Sequence, residues 1–452
     1  MKRSIGHANP FWKEYAGHGE RCRQHELATA VIICPEQGAG VDALNRRNSW
    51  TEPEPRAGAL TWVSAIPIAA AFIGLSDRRF GERSAPFIVL ALIPLRDPHF
   101  DSSMQTTFDD TRDAPANELA QLKADVAAFA KPILAESFGQ IATSFLPLLL
   151  INAAMYVSLG HSYFLTLALA LFAAGFVVRI FIIQHDCGHG AYFRPRWANS
   201  VLGTLCSVVT MTPYTNWRRH HAGHHGNWNN LDRRWSGADI YSTCLTVAEY
   251  SALTRWGRIK YGIVRHPITS LFILPPFVFL VLYRAPFDTP RTWGAERRNV
   301  HMTNAMIAAI LAVLCIVLGP LQVLLVQLPI LSFAAIIGVW LFSVQHRFEH
   351  SHWARQDRWE HTTAALRGSS YLRLPRLLRW FTGSIGIHHV HHLNARIPNY
   401  RLQACLDANP LLRRVPTLSL SDGLRASRYI IWDETRGRMV SIREIQRRRR
   451  CS

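Results

Sequence analysis

Phe181-Ile-Ile-Gln-His-Asp-Cys-Gly-His189 closes a long apolar run with two histidines four residues apart. Two denser clusters follow, His220-His-Ala-Gly-His-His225 and His388-His-Val-His-His392. These three stretches hold ten of the chain's 21 histidines, a density that scattered core or surface use does not produce. They read as one metal site assembled from three places.

The run that ends at Ile183 is the second of a pair. Ala142–Leu159 and Tyr163–Ile183 are joined by Gly160-His161-Ser162 and form a transmembrane hairpin, since about 20 apolar residues cross a bilayer. Arg179 can snorkel to headgroups, which sets that end of the second span at an interface. Upstream, Leu119, Leu122, Val126 and Phe129 recur at helical spacing before Pro132, as in an amphipathic interfacial helix. Downstream, Val201–Thr212 is too short to span and reads as a second interfacial helix. Residues 216–265 carry Arg218, Arg219, Arg233, Arg234, Arg255, Arg258, Lys260 and Arg265, so this face is expected in the cytoplasm.

Three more apolar stretches follow: Ile268–Tyr283, Met302–Leu318 and Leu321–Val344. If the second and third histidine clusters share a site, the chain between them crosses an even number of times. Ile268–Tyr283 is the shortest and contains Pro275-Pro276, so it is read as re-entrant or interfacial. The expected fold is an all-α integral membrane protein, multi-pass, with four transmembrane helices in two hairpins. Interfacial helices and a cytoplasmic helical cap complete it.

Residues 1–103 match no pattern and are expected to be a poorly ordered extension; Leu60–Leu75 and Pro86–Leu95 are too short to span. The text turns coherent at Met104, itself a candidate start. Residues 104–425 form the membrane domain, and 426–452, with Arg447–Arg450, a basic tail suited to anionic lipid or to solvent.

Composition agrees with a membrane partner. The chain is 49% hydrophobic, and 50 Lys and Arg outweigh 31 Asp and Glu. Nucleic acid is the other usual partner for so basic a chain, but the apolar blocks argue for lipid and against nucleic acid. Eight cysteines without CxxC pairs or regular spacing form no disulfide framework and no zinc finger. Met1–Glu20 is polar and has no signal-peptide core.

On a helix, residues i and i+4 share a face, so His185 and His189 can serve one centre. His221, His224 and His225, and likewise His388, His391 and His392, place three imidazoles on one side of a helical turn. Eight donors are twice what a structural zinc takes, which suits two ions with open positions. Imidazole serves iron, copper, zinc and nickel alike. His346 ends the last span on the same face and is a ninth candidate. Ligand histidines use their second ring nitrogen on a carboxylate or carbonyl, a role open to Asp186 and Glu349; either can equally be an ion-pair residue. His220 and His389 break the spacing and are set aside, and His161, His266 and His301 read as loop residues.

HDCGH at 185–189, Trp217-Arg-Arg-His-His-Ala-Gly-His-His225, Val344-Gln-His-Arg-Phe-Glu349 and Gly386-Ile-His-His-Val-His-His-Leu393 with Ile397-Pro-Asn-Tyr400 resemble the histidine boxes of membrane fatty acid desaturases, nearest the delta-12-type acyl desaturases. The likeness runs from Leu119 to Leu411. It implies an oxygen-dependent diiron enzyme, with two iron ions at the cytoplasmic face under a hydrocarbon tunnel. Removing hydrogen from an unactivated methylene is beyond any side-chain acid or base and needs an oxidant made from dioxygen, shielded from water. The implied partners are a fatty acyl substrate on lipid, CoA or carrier protein, and an electron donor, ferredoxin or cytochrome b5. The chain carries no flavin or dinucleotide fingerprint and no His-Pro-Gly-Gly haem motif.

Two alternatives stand beside this reading. A hydroxylase, ketolase or monooxygenase would share the metal site. A metal transporter would instead place ionisable groups within the spans, which are nearly free of them.

Overall fold

A computed structural model describes residues 116–234 and 243–451. The N-terminal extension, its two apolar pieces and Met104 lie outside the described residues. Among the described residues the architecture is mostly helical, and four helices are long and apolar enough to cross a membrane.

The first helix, α1 (Ala116–Ala127), turns its apolar stripe onto protein. Leu122 and Val126 are buried among Ile385, Ile387, Val390 and Ile397, so α1 braces the region that carries the third histidine cluster. The first hairpin is α2 (Leu134–Ser158) and α3 (Tyr163–His189), each longer than the apolar run that marks it. At 1.5 Å per residue they reach roughly 40 Å, beyond the ~30 Å hydrocarbon core, so their ends project into the interface. The apolar window of α3 is 61% buried, against 22% for α2, which makes α3 the centre of the bundle. A helix apolar on all faces is a buried one.

Gly190 stops α3 directly after His189. It takes the left-handed conformation (φ 67°), and Ala191 donates its backbone N–H to the Asp186 carbonyl at 2.9 Å. This six-to-one closure is the glycine cap of a helix C-terminus. It turns the chain away with His185 and His189 still on helical geometry.

The next helices are α4 (Arg196–Val209) and α5 (Tyr214–Asn227), the latter bearing the second cluster. Gln184 of α3 holds the turn between them, accepting from the Thr210 hydroxyl at 2.7 Å and donating to the Thr212 carbonyl at 3.1 Å. The Tyr214 hydroxyl donates to the Cys187 carbonyl at 2.8 Å. The second cluster is thereby tied to the end of α3 by polar contacts buried from water.

Past β1 (Leu245–Thr246) come α6 (Val247–Ala252) and α7 (Arg255–Val264). The segment with Pro275-Pro276 is not a straight span. It is a π-helical turn at Thr269–Ile273, α8 (Leu274–Leu280) and a 3-10 turn at Leu282–Arg284, bent by 52° from α7. The second hairpin is α9 (Gly294–Leu318) and α10 (Pro320–His346). His301, read from sequence as a loop residue, lies inside α9.

The cap contains α11 (His361–Gly368), β2 (Tyr371–Leu372), α12 (Arg376–Phe381), α13 (His388–Leu393), α14 (Leu402–Ala408), β3 (Thr417–Leu418) and α15 (Leu420–Ala426). Residues 426–451 form no loose tail. Strands β4 (Ile431–Asp433) and β5 (Arg438–Val440) join β1 in a three-stranded sheet, and α16 (Ile442–Cys451) buries Ile445 against Tyr250 and Tyr261. Ile431 and Val440 face this small core, and on the opposite face Trp432 and Met439 pack with Leu231, Cys244 and Trp353.

Helix α4 crosses α5 closely because residue 203 lacks a side chain. A Cβ there would fall on the Tyr214 ring. Gly203→Val should cost about 1–3 kcal/mol by overpacking, read as a lower unfolding midpoint in detergent; an unchanged midpoint would contradict the packing.

Candidate metal centre

The last turn of α3, helix α5, the end of α10 and the short helix α13 meet at one level. There the imidazoles of all nine sequence-predicted histidines gather in two groups. The first is His185, His189, His221, His225 and His391; the second is His224, His346, His388 and His392. Within each group the candidate donor atoms lie within 4.8 Å of one another.

The helical turn distributes them. His221 and His225, four apart, face the first group, while His224 points to the second. In α13 the pair His388 and His392 faces the second group, and His391 reaches back to the first. Each HxxHH box therefore splits two to one, where the spacing alone suggested three imidazoles on one side. His225 and His392 stack at 4.2 Å between the groups.

Neighbouring ring nitrogens are close. In the first group Nε2 atoms approach at 3.0 Å (His189–His221), 3.2 Å (His221–His225) and 3.0 Å (His225–His391). In the second they run 3.1 Å (His224–His346), 3.0 Å (His346–His388) and 3.0 Å (His388–His392). Hydrogen bonds do not account for such a chain, since the inner nitrogens would have to donate and accept at once, which one ring nitrogen cannot do. A shared cation does: imidazole nitrogens about 2.1 Å from one ion at right angles stand about 3 Å apart.

Electrostatics agree. Burial, then the neighbouring imidazoles, push His221, His225, His388, His391 and His392 well below the ordinary histidine range. Neutral imidazole is the form that ligates.

Asp186 lies beside the first histidine group. Its carboxylate accepts from His185 Nδ1 at 3.0 Å and from the Asn399 backbone N–H and side-chain amide at 2.6 and 2.8 Å. Asn399 in turn exchanges amide hydrogen bonds with Gln140 of α2 at 2.9 and 3.1 Å. With Nδ1 donating to Asp186, the Nε2 lone pair of His185 is free for a metal. In the sequence Asn399 stands out only as part of the Ile397–Tyr400 likeness, with no sign of this role, and Gln140 carries no signal at all.

Glu349 sits elsewhere. Past His346 the chain leaves helical geometry at Arg347, and the Glu349 carboxylate accepts from Tyr429 at 2.6 Å and Arg438 at 2.7 Å. It is an ion-pair residue tying α10 to the sheet. His220 and His389 are outside both groups: His220 Nε2 lies 3.8 Å from Asp288, and His389 Nε2 donates to the Leu412 carbonyl at 2.9 Å. Trp217 stacks on His221 at 4.5 Å.

An apolar cavity of about 160 Å³ ends on the histidines. Val178 and Phe181 of α3, Leu331, Gly338 and Phe342 of α10 and Phe279 of α8 are among its walls, and His185, His221, His224 and His388 border it. Both histidine groups thus face the same apolar space.

Known proteins resemble this chain. The profile of the family described as fatty acid desaturase matches residues 162–414. A fatty acid desaturase of Bacillus subtilis (strain 168) is 41% identical over 336 residues, which are 74% of this chain and 94% of the relative. A probable fatty acid desaturase of Sorghum bicolor is 33% identical over 258 residues, 52% of this chain and 61% of the relative. A temperature-sensitive sn-2 acyl-lipid omega-3 desaturase (ferredoxin) of Arabidopsis thaliana is 29% identical over 263 residues, 52% of this chain and 54% of the relative. The chain thus spans little more than half the length of those two plant proteins.

Replacing Asn399 with leucine removes the side-chain donor to a buried carboxylate and loosens the ring it orients. Metal affinity should fall on the order of 10- to 100-fold, measured by elemental analysis after dialysis against graded chelator. Retention equal to wild type would remove Asn399 from the site.

Proposed function

The chain belongs to the fatty acid desaturase family and is a membrane enzyme that desaturates fatty acyl chains, and from that premise we propose that it does so at two iron ions held by the five- and four-histidine groups. The observation that carries this reading is the convergence of nine imidazoles, in two groups, at the end of one apolar cavity. The donor set fits iron, for which imidazole is a suitable ligand. Iron with dioxygen and two external electrons supplies the oxidising power that no side chain has.

The protein's own part is placement and exclusion. Val178, Phe181, Leu331 and Phe342 offer an acyl chain an apolar wall and leave water without hydrogen-bond partners there. His185, His221, His224 and His388 border the same space, so a methylene lying in it is brought to both groups. Asp186 and Asn399 keep His185 in the ligating tautomer.

We assign delta-12-type regiochemistry on the strength of the quoted boxes. The site is assigned to the cytoplasmic side by the basic residues between Asn216 and Arg265. Electrons would arrive from a ferredoxin or cytochrome b5, and Lys131, Arg194 and Arg396, which line a surface hollow beside Gly190 at the metal end of α3, suit an acidic carrier.

Expression in a host lacking polyunsaturated fatty acids, with mass spectrometry of its lipids, tests the reaction. New acyl chains two hydrogens lighter, unsaturated at the delta-12 position, are expected. A gain of one oxygen would instead mark a hydroxylase. His225→Ala and His392→Ala, one from each group, should each abolish product and lower iron content while the protein stays in the membrane; full activity in either refutes the metal assignment.

Gly338 shapes the cavity by leaving it open, since a Cβ there meets nothing within 4 Å. Gly338→Phe should keep both irons yet shift product toward shorter acyl chains. An unchanged product distribution would separate this wall from the substrate.

A further inference from the structure

A second cavity, of about 620 Å³, lies between α7 and α16, lined by Tyr250 and by residues of both helices. Its cationic wall is Arg255, Arg258 and Arg449, and no carboxylate is among its lining residues. Arg448, by contrast, pairs with Asp433 at 2.7 Å and with Glu444 at 2.5 Å. Among the described residues Arg255 and Arg449 have no acidic partner. Arg258 is held in place by the carbonyls of Ser251 and Leu253 at 3.2 and 2.8 Å.

The rim is apolar. Trp256 is 72% exposed and Ile263 59%, on the same stripe of α7 as Ile259. Tryptophan beside exposed aliphatic residues is the pattern of a helix at the membrane interface. Past the bend, Phe272, Ile273 and Phe277 continue the exposed apolar surface.

We propose that this cavity binds the phosphate of an anionic phospholipid, with Arg255, Arg258 and Arg449 around the headgroup and the acyl chains along Ile259 and Ile263. A free anion would satisfy the arginines but leave the apolar rim bare, and a zwitterionic lipid would bring its own cation into a site that already holds three. The site is independent of the metal centre and does not rest on the reaction catalysed there. It bears on that centre through the chain: α7 leads through the π-helical turn into α8, and Phe279, Leu280 and Tyr283 line the acyl cavity. A lipid clamped between α7 and α16 fixes the bent segment that forms this wall.

The test is native mass spectrometry of the full-length protein in detergent, titrated with dioleoylphosphatidylglycerol, dioleoylphosphatidylcholine or inorganic phosphate. Phosphatidylglycerol should be retained where phosphatidylcholine is lost. Arg255→Gln with Arg449→Gln should weaken retention on the order of thirtyfold, from two surface charges, and lysine at both positions should restore it. Unchanged metal content in the variants reports an intact fold. Equal retention of the two lipids overturns the proposal. So does displacement of phosphatidylglycerol by millimolar phosphate, or an equal loss in the control Arg194→Gln with Arg196→Gln.

Discussion

The structure depends on bringing nine imidazoles together at the foot of an apolar bundle. Seven are buried and His189 and His225 are half-buried, and an unsatisfied buried polar group costs about 1–3 kcal/mol. His346 is fully buried and His388, His391 and His392 nearly so. The inner nitrogens of each group face two others at about 3 Å, and one ring nitrogen cannot donate and accept at once. Ions held by the two groups would satisfy these nitrogens, and their binding would contribute to folding as well as to chemistry.

That requirement explains how the helices end. His185 and His189 must stand at the last turn of α3 and His346 at the last residue of α10, so both helices run to the same level and stop. Gly190 stops the first by a left-handed cap, and the extended Arg347 stops the second. The remaining six imidazoles come from α5 and α13, which lie across those ends. A two-to-one split in each HxxHH turn links the groups mechanically: a small rotation of α5 would carry His221 and His225 away from one group and His224 from the other. Trp217 against His221 and Tyr214 against the Cys187 carbonyl oppose such a rotation.

Much of this is legible in the sequence because its physics is local. Span length, the fourfold histidine spacing and the proline pair at 275–276 are statements about one helix at a time. They mark the two hairpins, the segment that breaks, and all nine histidines. The three-stranded sheet escapes because β1 and β4 are two and three residues long and far apart in the chain, too short for any periodicity. The choice between the two roles open to Glu349 escapes for a related reason: its position past His346 says how near it is along the chain, while its partner Arg438 is set by the sheet. Asn399 was visible only as part of a quoted motif, because its target, Asp186, lies 213 residues away.

The broken segment shows what such long-range structure adds. A straight fifth helix at Ile268–Tyr283 would pack as another wall of the bundle. Instead the π-helical turn and Pro275-Pro276 bend it, so that α7 lies on the surface beside α16 while α8 packs inward against the apolar cavity. A bend of this kind has few backbone hydrogen bonds to hold its angle, and its two arms answer to different surroundings, one interfacial and basic, the other apolar. The basic C-terminal helix, which a linear reading leaves as a tail, then becomes the support for one arm. The shape of the cavity that meets the histidines is thus set partly by packing at the opposite end of the same bent segment.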